Sequence, residues 1–176
     1  MNKELDQDRV EDTIQHFNKW GYVMFPEQKQ IYQYLSDKVR GTILEAGCGM
    51  GLGAYMIGAD MATDKLERNV KFAKELYPDF NFKVWDITQG SFEATYDTVV
   101  CIETIEHVKD IGLAIQNLID SAYKEVWIST PNRSIETPDN PYHVREYNEQ
   151  EMRIIIGSYE IETKIFGSSM LYRITK

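Results

Sequence analysis

The stretch from Thr42 to Lys65, TILEAGCGMGLGAYMIGADMATDK, constrains the fold more than any other part of the chain. It reads as a strand, a glycine-rich turn, a short helix and a second strand ending at an acid. Ile43 and Leu44 open an apolar run suited to a buried strand. Gly47, Gly49, Gly51 and Gly53 permit a tight turn and a close approach of backbone to ligand. The following helix offers unpaired N–H groups at its start. An acid at the tip of the second strand can accept from both hydroxyls of a ribose. The unit therefore predicts a nucleoside site on an α/β sheet.

The ligand type follows from what the turn lacks. The phosphate cradle Gly-x-x-x-x-Gly-Lys-Ser/Thr is absent. The dinucleotide pattern is not cleanly met, because Gly47–Cys48–Gly49 is followed by Met50, Gly51 and Leu52. Glu45, just ahead of Gly47, would repel a pyrophosphate. It suits a cationic ligand, such as the sulfonium and amino group of S-adenosylmethionine.

Helical and strand patterns alternate along the rest of the chain. Val10, Ile14 and Phe17 have helical spacing up to Gly21, and Glu27 to Lys38 forms a second helix with Ile31, Tyr34 and Leu35 on one face and Gly41 ending it. Strands are expected at Thr42–Ala46, Met61–Asp64, Asn81–Trp85, Tyr96–Ile102 and Val126–Ser129. Helices are expected over Leu52–Ile57, from Leu66 to before Pro78, through Ile111, Ile115, Leu118 and Ala122, and from an Asn148/Glu151 capping box through Met152 and Ile156. Tyr159–Phe166 and Met170–Thr175 close the chain as an antiparallel pair. This order predicts one doubly wound, mostly parallel seven-stranded sheet with the last strand antiparallel. Residues 1–40 would be helices packing on or lidding a core of residues 41–176. Ligands on such sheets lie beyond the carboxyl ends of the strands. Glu45–Gly49, Asp64, Asp86, Ile102–Glu106 and Thr130–Asn132 should share that rim.

Composition narrows the function classes. A net charge of -9 argues against a large nucleic-acid footprint. The two cysteines, Cys48 and Cys101, read as buried residues without a disulfide. No apolar run is long enough to span a bilayer, and the acidic N-terminus is not a secretory signal. A cytoplasmic location is expected.

The order of motifs, with the glycine turn LEAGCGMG first, resembles the class I S-adenosylmethionine-dependent methyltransferases from about Gly41 to Gly157. The resemblance implies a Rossmann-like fold, S-adenosyl-L-methionine as cofactor and methyltransferase activity (EC 2.1.1.-). It implies Glu45, Gly47, Gly49 and Lys65 along the cofactor, Asp64 on the ribose, Asp86 on the adenine amino group, Ile87 over the ring, and Ile102 with Glu103 on the far side. The segment from Gly49 to Asp64 is shorter than is usual in the family, so Asp60 competes with Asp64 for the ribose.

The run CIETIEHV places Glu103, Glu106 and His107 just past the fourth strand, and His143 lies in NPYHVREY. Carboxylates and imidazoles in such proximity suit a divalent cation, Mg²⁺ or Mn²⁺ among others. The Glu-x-x-Glu-His run resembles that of ubiquinone-pathway O-methyltransferases and of 3′-terminal RNA methyltransferases. The expected metal ligands are Glu103, Glu106, His107 and His143. Without a metal, His107, Glu106 and His143 are the expected catalytic groups, with histidine suited to proton transfer near neutrality. His16 has no assigned role.

Ser129 to Met152 is the longest irregular stretch, stiffened by Pro131, Pro138 and Pro141, and reads as the acceptor loop. Tyr142, Arg145 and Tyr147 line it with His143, and Arg133 and Arg145 would hold an anionic group. The stretch resembles that of a bacterial and phage methyltransferase group found in surface-polysaccharide contexts. O-methylation of a small-molecule or sugar acceptor is the expectation. The rivals are methylation of a nucleic-acid end and a catalytically inactive binding module. Acceptor identity and oligomeric state are not written in the sequence.

Overall fold

The computed structural model describes residue 15, residues 24–135 and residues 142–176. The expected first helix, His16, Pro138 and Pro141 lie outside the described residues.

The described chain runs α1 (Pro26–Ser36), β1 (Ile43–Ala46), α2 (Leu52–Ile57), β2 (Met61–Asp64), α3 (Glu67–Leu76), β3 (Phe82–Val84), β4 (Tyr96–Ile102), a 3-10 turn (Ile105–His107), α4 (Ile111–Asp120), β5 (Ala122–Pro131), α5 (Glu149–Ile156), β6 (Glu160–Phe166) and β7 (Ser169–Thr175). The strands form a seven-stranded sheet in the order β3-β2-β1-β4-β5-β7-β6. β3, β2, β1, β4 and β5 pair in parallel, while β7 runs antiparallel to both β5 and β6. The doubly wound sheet with an antiparallel last strand is therefore present as expected.

Period-two burial divides the core into two layers. Ile43, Val100, Ile102, Trp127 and Leu171 face α1, α2 and α3, against Ile31, Leu35, Leu52, Val70 and Ala73. Leu44, Val99, Cys101, Val126, Ile128 and Tyr172 face α4 and α5, against Ala114, Ile115, Leu118, Met152 and Ile156. The central strands bury side chains on both faces, which explains their unbroken apolar runs. The edge strand β6 exposes Glu160, Glu162 and Lys164, charges that discourage a further strand from adding. No described helix is long and apolar enough to cross a membrane.

Local chemistry sets the element ends. Pro26 sits in the first turn of α1, and Gln28 Oε1 accepts the Phe25 N–H at 3.0 Å. Asp110 caps α4 by accepting from Leu113 N–H at 3.1 Å. The capping box of α5 is complete, with Asn148 Oδ1 accepting from Glu151 N–H and Glu151 Oε2 accepting from Asn148 N–H, both at 3.0 Å.

Two expectations need correction. α1 ends at Ser36, and Gly41 instead precedes β1 with φ +79, where a β-carbon would collide with the Asp97 carboxyl. Tyr34 packs, partly buried, against the same core as Ile31 and Leu35, as expected, and Tyr32 is buried with them. Ala122 begins β5 and does not end α4, because β5 pairs with β4 from Ala122 onward. Cys48 and Cys101 are buried and free, as expected.

Candidate functional site

The parallel strands deliver their carboxyl ends to one rim. After β1 the chain turns sharply, with Gly47 and Cys48 both donating to Thr63 O at 2.8 Å. Gly47 has φ +77, and any β-carbon there would overlap the Thr104 side chain. The turn thus needs glycine for both conformation and space.

Asp64, at the tip of β2, fastens this turn. Its Oδ2 accepts from Gly49 N–H at 3.0 Å. Its Oδ1 accepts from Leu66 N–H at 2.8 Å and from Asn69 Nδ2 at 3.2 Å. A carboxylate offers about four acceptor directions, so Oδ2 retains one for a ligand hydroxyl. Asp60 lies at the other end of β2, where its Oδ2 accepts from Ile43 N–H at 2.7 Å. The geometry removes Asp60 from the rim. Lys65 follows Asp64 and is exposed.

Glu45 is fully buried in β1. Its Oε1 accepts the Tyr32 hydroxyl at 2.6 Å, whereas its Oε2 has no partner among the described residues. Burial pushes its carboxyl up from 4.5 to about 7, against the opposing pull of the Tyr32 and Ala54 hydrogen bonds. A buried, half-partnered carboxyl fits a site that receives a cation from outside the chain.

Asp86 follows β3 and accepts from Thr88 N–H at 2.9 Å and Thr88 Oγ1 at 2.7 Å, both on Oδ1. Those bonds hold it below the usual carboxylate range, so it is a ready acceptor for an amino group. Ile87 is buried beside it, with its carbonyl anchored by Asn117 Nδ2 at 2.8 Å. Ile102 ends β4 and is also buried.

The chain then bends at Glu103, which has φ 47, a left-handed conformation unusual outside glycine. The bend is held by Glu103 N–H, which bonds Ser129 Oγ at 3.0 Å, and by Ser129 Oγ donating to Glu103 Oε1 at 2.8 Å. Burial raises the Glu103 carboxyl to about 7. Burial and repulsion from Glu103 push Glu106 well above its ordinary value. Glu106 Oε2 has no partner among the described residues.

His143 reaches this corner because residues 144 and 145 strap onto it. Val144 and Arg145 N–H groups both donate to Glu106 O, at 2.8 and 3.3 Å. His107 Nδ1 lies 2.9 Å from Tyr142 O, and His143 Nδ1 lies 2.8 Å from Glu146 Oε1. A carbonyl only accepts, so His107 carries its proton on Nδ1 and presents a lone pair at Nε2. The His107 and His143 rings meet edge to face with centroids 5.0 Å apart. Burial holds His107 below the ordinary histidine range, hence neutral at pH 7. Glu106, His107 and His143 each bring one ligand-type atom within 4.8 Å of the others. Glu103 is not in that group, since its carboxyl is turned to Ser129 and Ser169. The expected four-residue ligand set is thus reduced to three.

Arg133 and Arg145 do converge, but on Glu151 Oε1, at 3.0 and 2.7 Å. An acceptor anion would have to compete with that carboxylate. Tyr32, bonded to Glu45, is the residue of this rim that the sequence motifs do not mark. Its spacing three residues before Leu35 is compatible with the buried face of α1, but nothing local ties it to Glu45.

A methyltransferase-domain family model matches residues 15–155. A probable S-adenosylmethionine-dependent methyltransferase of Mycolicibacterium smegmatis is 30% identical over 178 aligned residues, covering 90% of this chain and 66% of that protein. A ubiquinone biosynthesis O-methyltransferase of Rickettsia felis is 32% identical over 99 residues, covering 52% of this chain and 41% of that protein. The chain thus spans less than two thirds of the length of these curated relatives. Among solved structures, the magnesium protoporphyrin IX methyltransferase of Synechocystis PCC 6803 with bound SAH superposes with a TM-score of 0.68 at 19% identity, covering 97% of this chain and 100% of that one, a likeness of fold alone. With the family model spanning most of its length, and the glycine turn, the acid at the tip of β2 and the sheet order all in place, this chain belongs to the class I S-adenosylmethionine-dependent methyltransferases.

Proposed function

We propose that the chain transfers a methyl group from S-adenosylmethionine to an oxygen atom of a small-molecule or carbohydrate acceptor. The observation that carries this reading is the glycine turn braced by Asp64 beside Glu45, a buried carboxyl with one oxygen unpartnered among the described residues. Asp64 Oδ2 would take a ribose hydroxyl, Asp86 the adenine amino group and Glu45 the ammonium of the methionine portion. Ile87 and Ile102 would exclude water from the ring. The cofactor supplies the methyl on a cationic sulfur.

His107 supports an oxygen acceptor. It is neutral, its Nδ1 is anchored on Tyr142 O, and its Nε2 can take a proton. As the new carbon–oxygen bond forms and the carbon–sulfur bond breaks, the hydroxyl proton would pass to Nε2. Glu106 and His143 would shape this corner. Among the relatives, the Rickettsia felis protein is named for O-methylation. The net charge of -9 weighs against a nucleic-acid acceptor.

A second reading is favoured by one observation, the approach of Glu106, His107 and His143 to within 4.8 Å. These residues would hold a divalent cation. The Nδ1 anchors on Tyr142 and Glu146 are the outer contacts that such imidazole ligands use. A bound cation would acidify the acceptor hydroxyl.

A panel of sugars, nucleotide sugars and phenols incubated with S-adenosylmethionine, with and without chelator, tests both readings. Mass spectrometry should find methylation at oxygen. Transfer to nitrogen alone, or to nothing in the panel, would sink the O-methyl reading. Chelator-resistant turnover would remove the cation.

A further inference from the structure

One side chain of α1 reaches into the cofactor half of the rim. Tyr32 is 6% exposed, and its hydroxyl donates to Glu45 Oε1 at 2.6 Å. Gly53, in the first turn of α2, lies against both groups. A β-carbon there would overlap the Tyr32 ring and approach Glu45 Oε1 to 2.5 Å. Glu45 Oε1 is therefore wedged between α1 and α2, and the plane of the carboxyl is fixed with it. Oε2 has no partner among the described residues, and Glu45 is fully buried. Such an oxygen is costly to bury unless a donor arrives.

We propose that Tyr32 is a positioning residue for the cofactor: by holding one oxygen of Glu45 it turns the other toward the α-ammonium of S-adenosylmethionine. The inference rests on the proposed function and extends it to a residue on α1, which lies before the glycine turn in sequence. Tyr32 does not touch the reacting atoms. Its effect passes through Glu45, whose other neighbours are Ala54 N–H on α2, Cys48 in the turn and Asp64 on β2.

The competing account makes Tyr32 a bracket that fastens α1 to α2. A bracket and an aiming device differ in which ligands they favour. Loosening a bracket weakens every ligand of the glycine turn alike. Losing the aim weakens only ligands that carry the ammonium.

Calorimetry with S-adenosylhomocysteine and with 5′-methylthioadenosine, which lacks the amino-acid part, separates the two. Tyr32→Phe should weaken S-adenosylhomocysteine about tenfold, the scale of a hydrogen bond to a charged group. Binding of 5′-methylthioadenosine should stay within about twofold, inside ordinary variation for a distal change. Glu45→Gln should show the same selective loss, and the double variant should lose little more than either single one. Equal loss of both ligands in Tyr32→Phe, or fully additive losses in the double variant, would overturn the proposal. Should Tyr32→Phe not fold, Glu45→Gln alone decides, because loss of both ligands alike is incompatible with an aimed carboxyl. If the folded wild-type protein binds neither ligand, the proposed function fails and takes this inference with it. Wild-type binding with an unselective variant defeats this inference alone.

Discussion

At the amino end of the parallel strands, Asp97 accepts from Thr42 N–H at 2.9 Å and faces Lys124 Nζ at 2.8 Å. These contacts hold it down at about 2. At the carboxyl end, Glu45 and Glu106 are buried, are pushed upward, and each keep an oxygen with no partner among the described residues. The same residue class thus does opposite work at the two ends of one sheet. The amino-end acids are satisfied by the chain and tie strands and loops together. At the carboxyl end Asp64 and Asp86 are partnered by the chain, whereas Glu45 and Glu106 are left incomplete, as expected where the missing partner is a ligand. Stability is sacrificed locally where the fold must recognise something.

The contrast can be broken most severely at His107. His107→Ala should lower kcat by about a hundredfold or more, the usual scale for removing a general base. It should leave S-adenosylhomocysteine affinity within about threefold, since the residue lies on the acceptor side. A kcat within about twofold of wild type would exclude a base at this position. At the cofactor side, Asp64→Ala should weaken S-adenosylhomocysteine by about tenfold or more and lower the thermal midpoint, because Gly49 and Leu66 N–H lose their acceptor. Unchanged affinity would remove Asp64 from the ribose.

A pH series sharpens the comparison. The folded-state value of Glu45, about 7, lies above its ordinary 4.5. Its contribution to stability is therefore complete below about 4.5 and is lost as pH rises through about 7, a swing of about 3 kcal/mol. The Glu103 carboxyl acts in the same direction. Thermal melts of the ligand-free protein should thus be higher near pH 6 than near pH 8, and saturating S-adenosylhomocysteine should narrow the gap by favouring the ionised form. Affinity for that ligand should fall by about tenfold between about pH 8 and about pH 6. Flat behaviour of both quantities between about pH 6 and about pH 8 would mean that Glu45 is ionised before the ligand arrives.

The smallest effect is expected at the amino end. Asp97→Asn should lower the melting temperature by about a few degrees and leave ligand affinity within about twofold. The folded-state value of Asp97 lies below its ordinary 3.8, so its contribution is present above about 3.8 and is lost as pH falls toward about 2. A large loss of ligand affinity in this variant would erase the distinction between the two ends.

How much of this was legible in the sequence depended on how local the cause was. The glycine turn, Asp64, the Asn148 box and the apolar runs of β1 and β4 are set by neighbours in the chain and are legible in the sequence. The choice between Asp60 and Asp64 needed only the position of β2, which places them at opposite ends of one strand. Which tyrosine of α1 joins the site is not set by spacing, since Tyr32, three residues before Leu35, and Tyr34, three after Ile31, both reach its packed side. What decides it is the distant Glu45. Proximity in sequence groups Glu103 with Glu106 and His107, but its left-handed backbone turns its carboxyl to Ser129. Nothing local in the sequence shows that Glu151, already committed to the capping box, also binds Arg133 and Arg145. Periodicity carries none of these tertiary pairings. The meeting of His107 with His143 was legible through family resemblance, and its physical cause is the strap of Val144 and Arg145 on Glu106 O.

The measurement that bears most directly on the rim is calorimetric titration of the wild-type protein with S-adenosylhomocysteine near neutral pH. A single site per chain, with a Kd on the order of micromolar, is the predicted result. Well-folded protein that gives no heat and no thermal shift with the ligand would contradict it, and would leave the unpartnered carboxyls of the carboxyl end without the ligand this account assigns them.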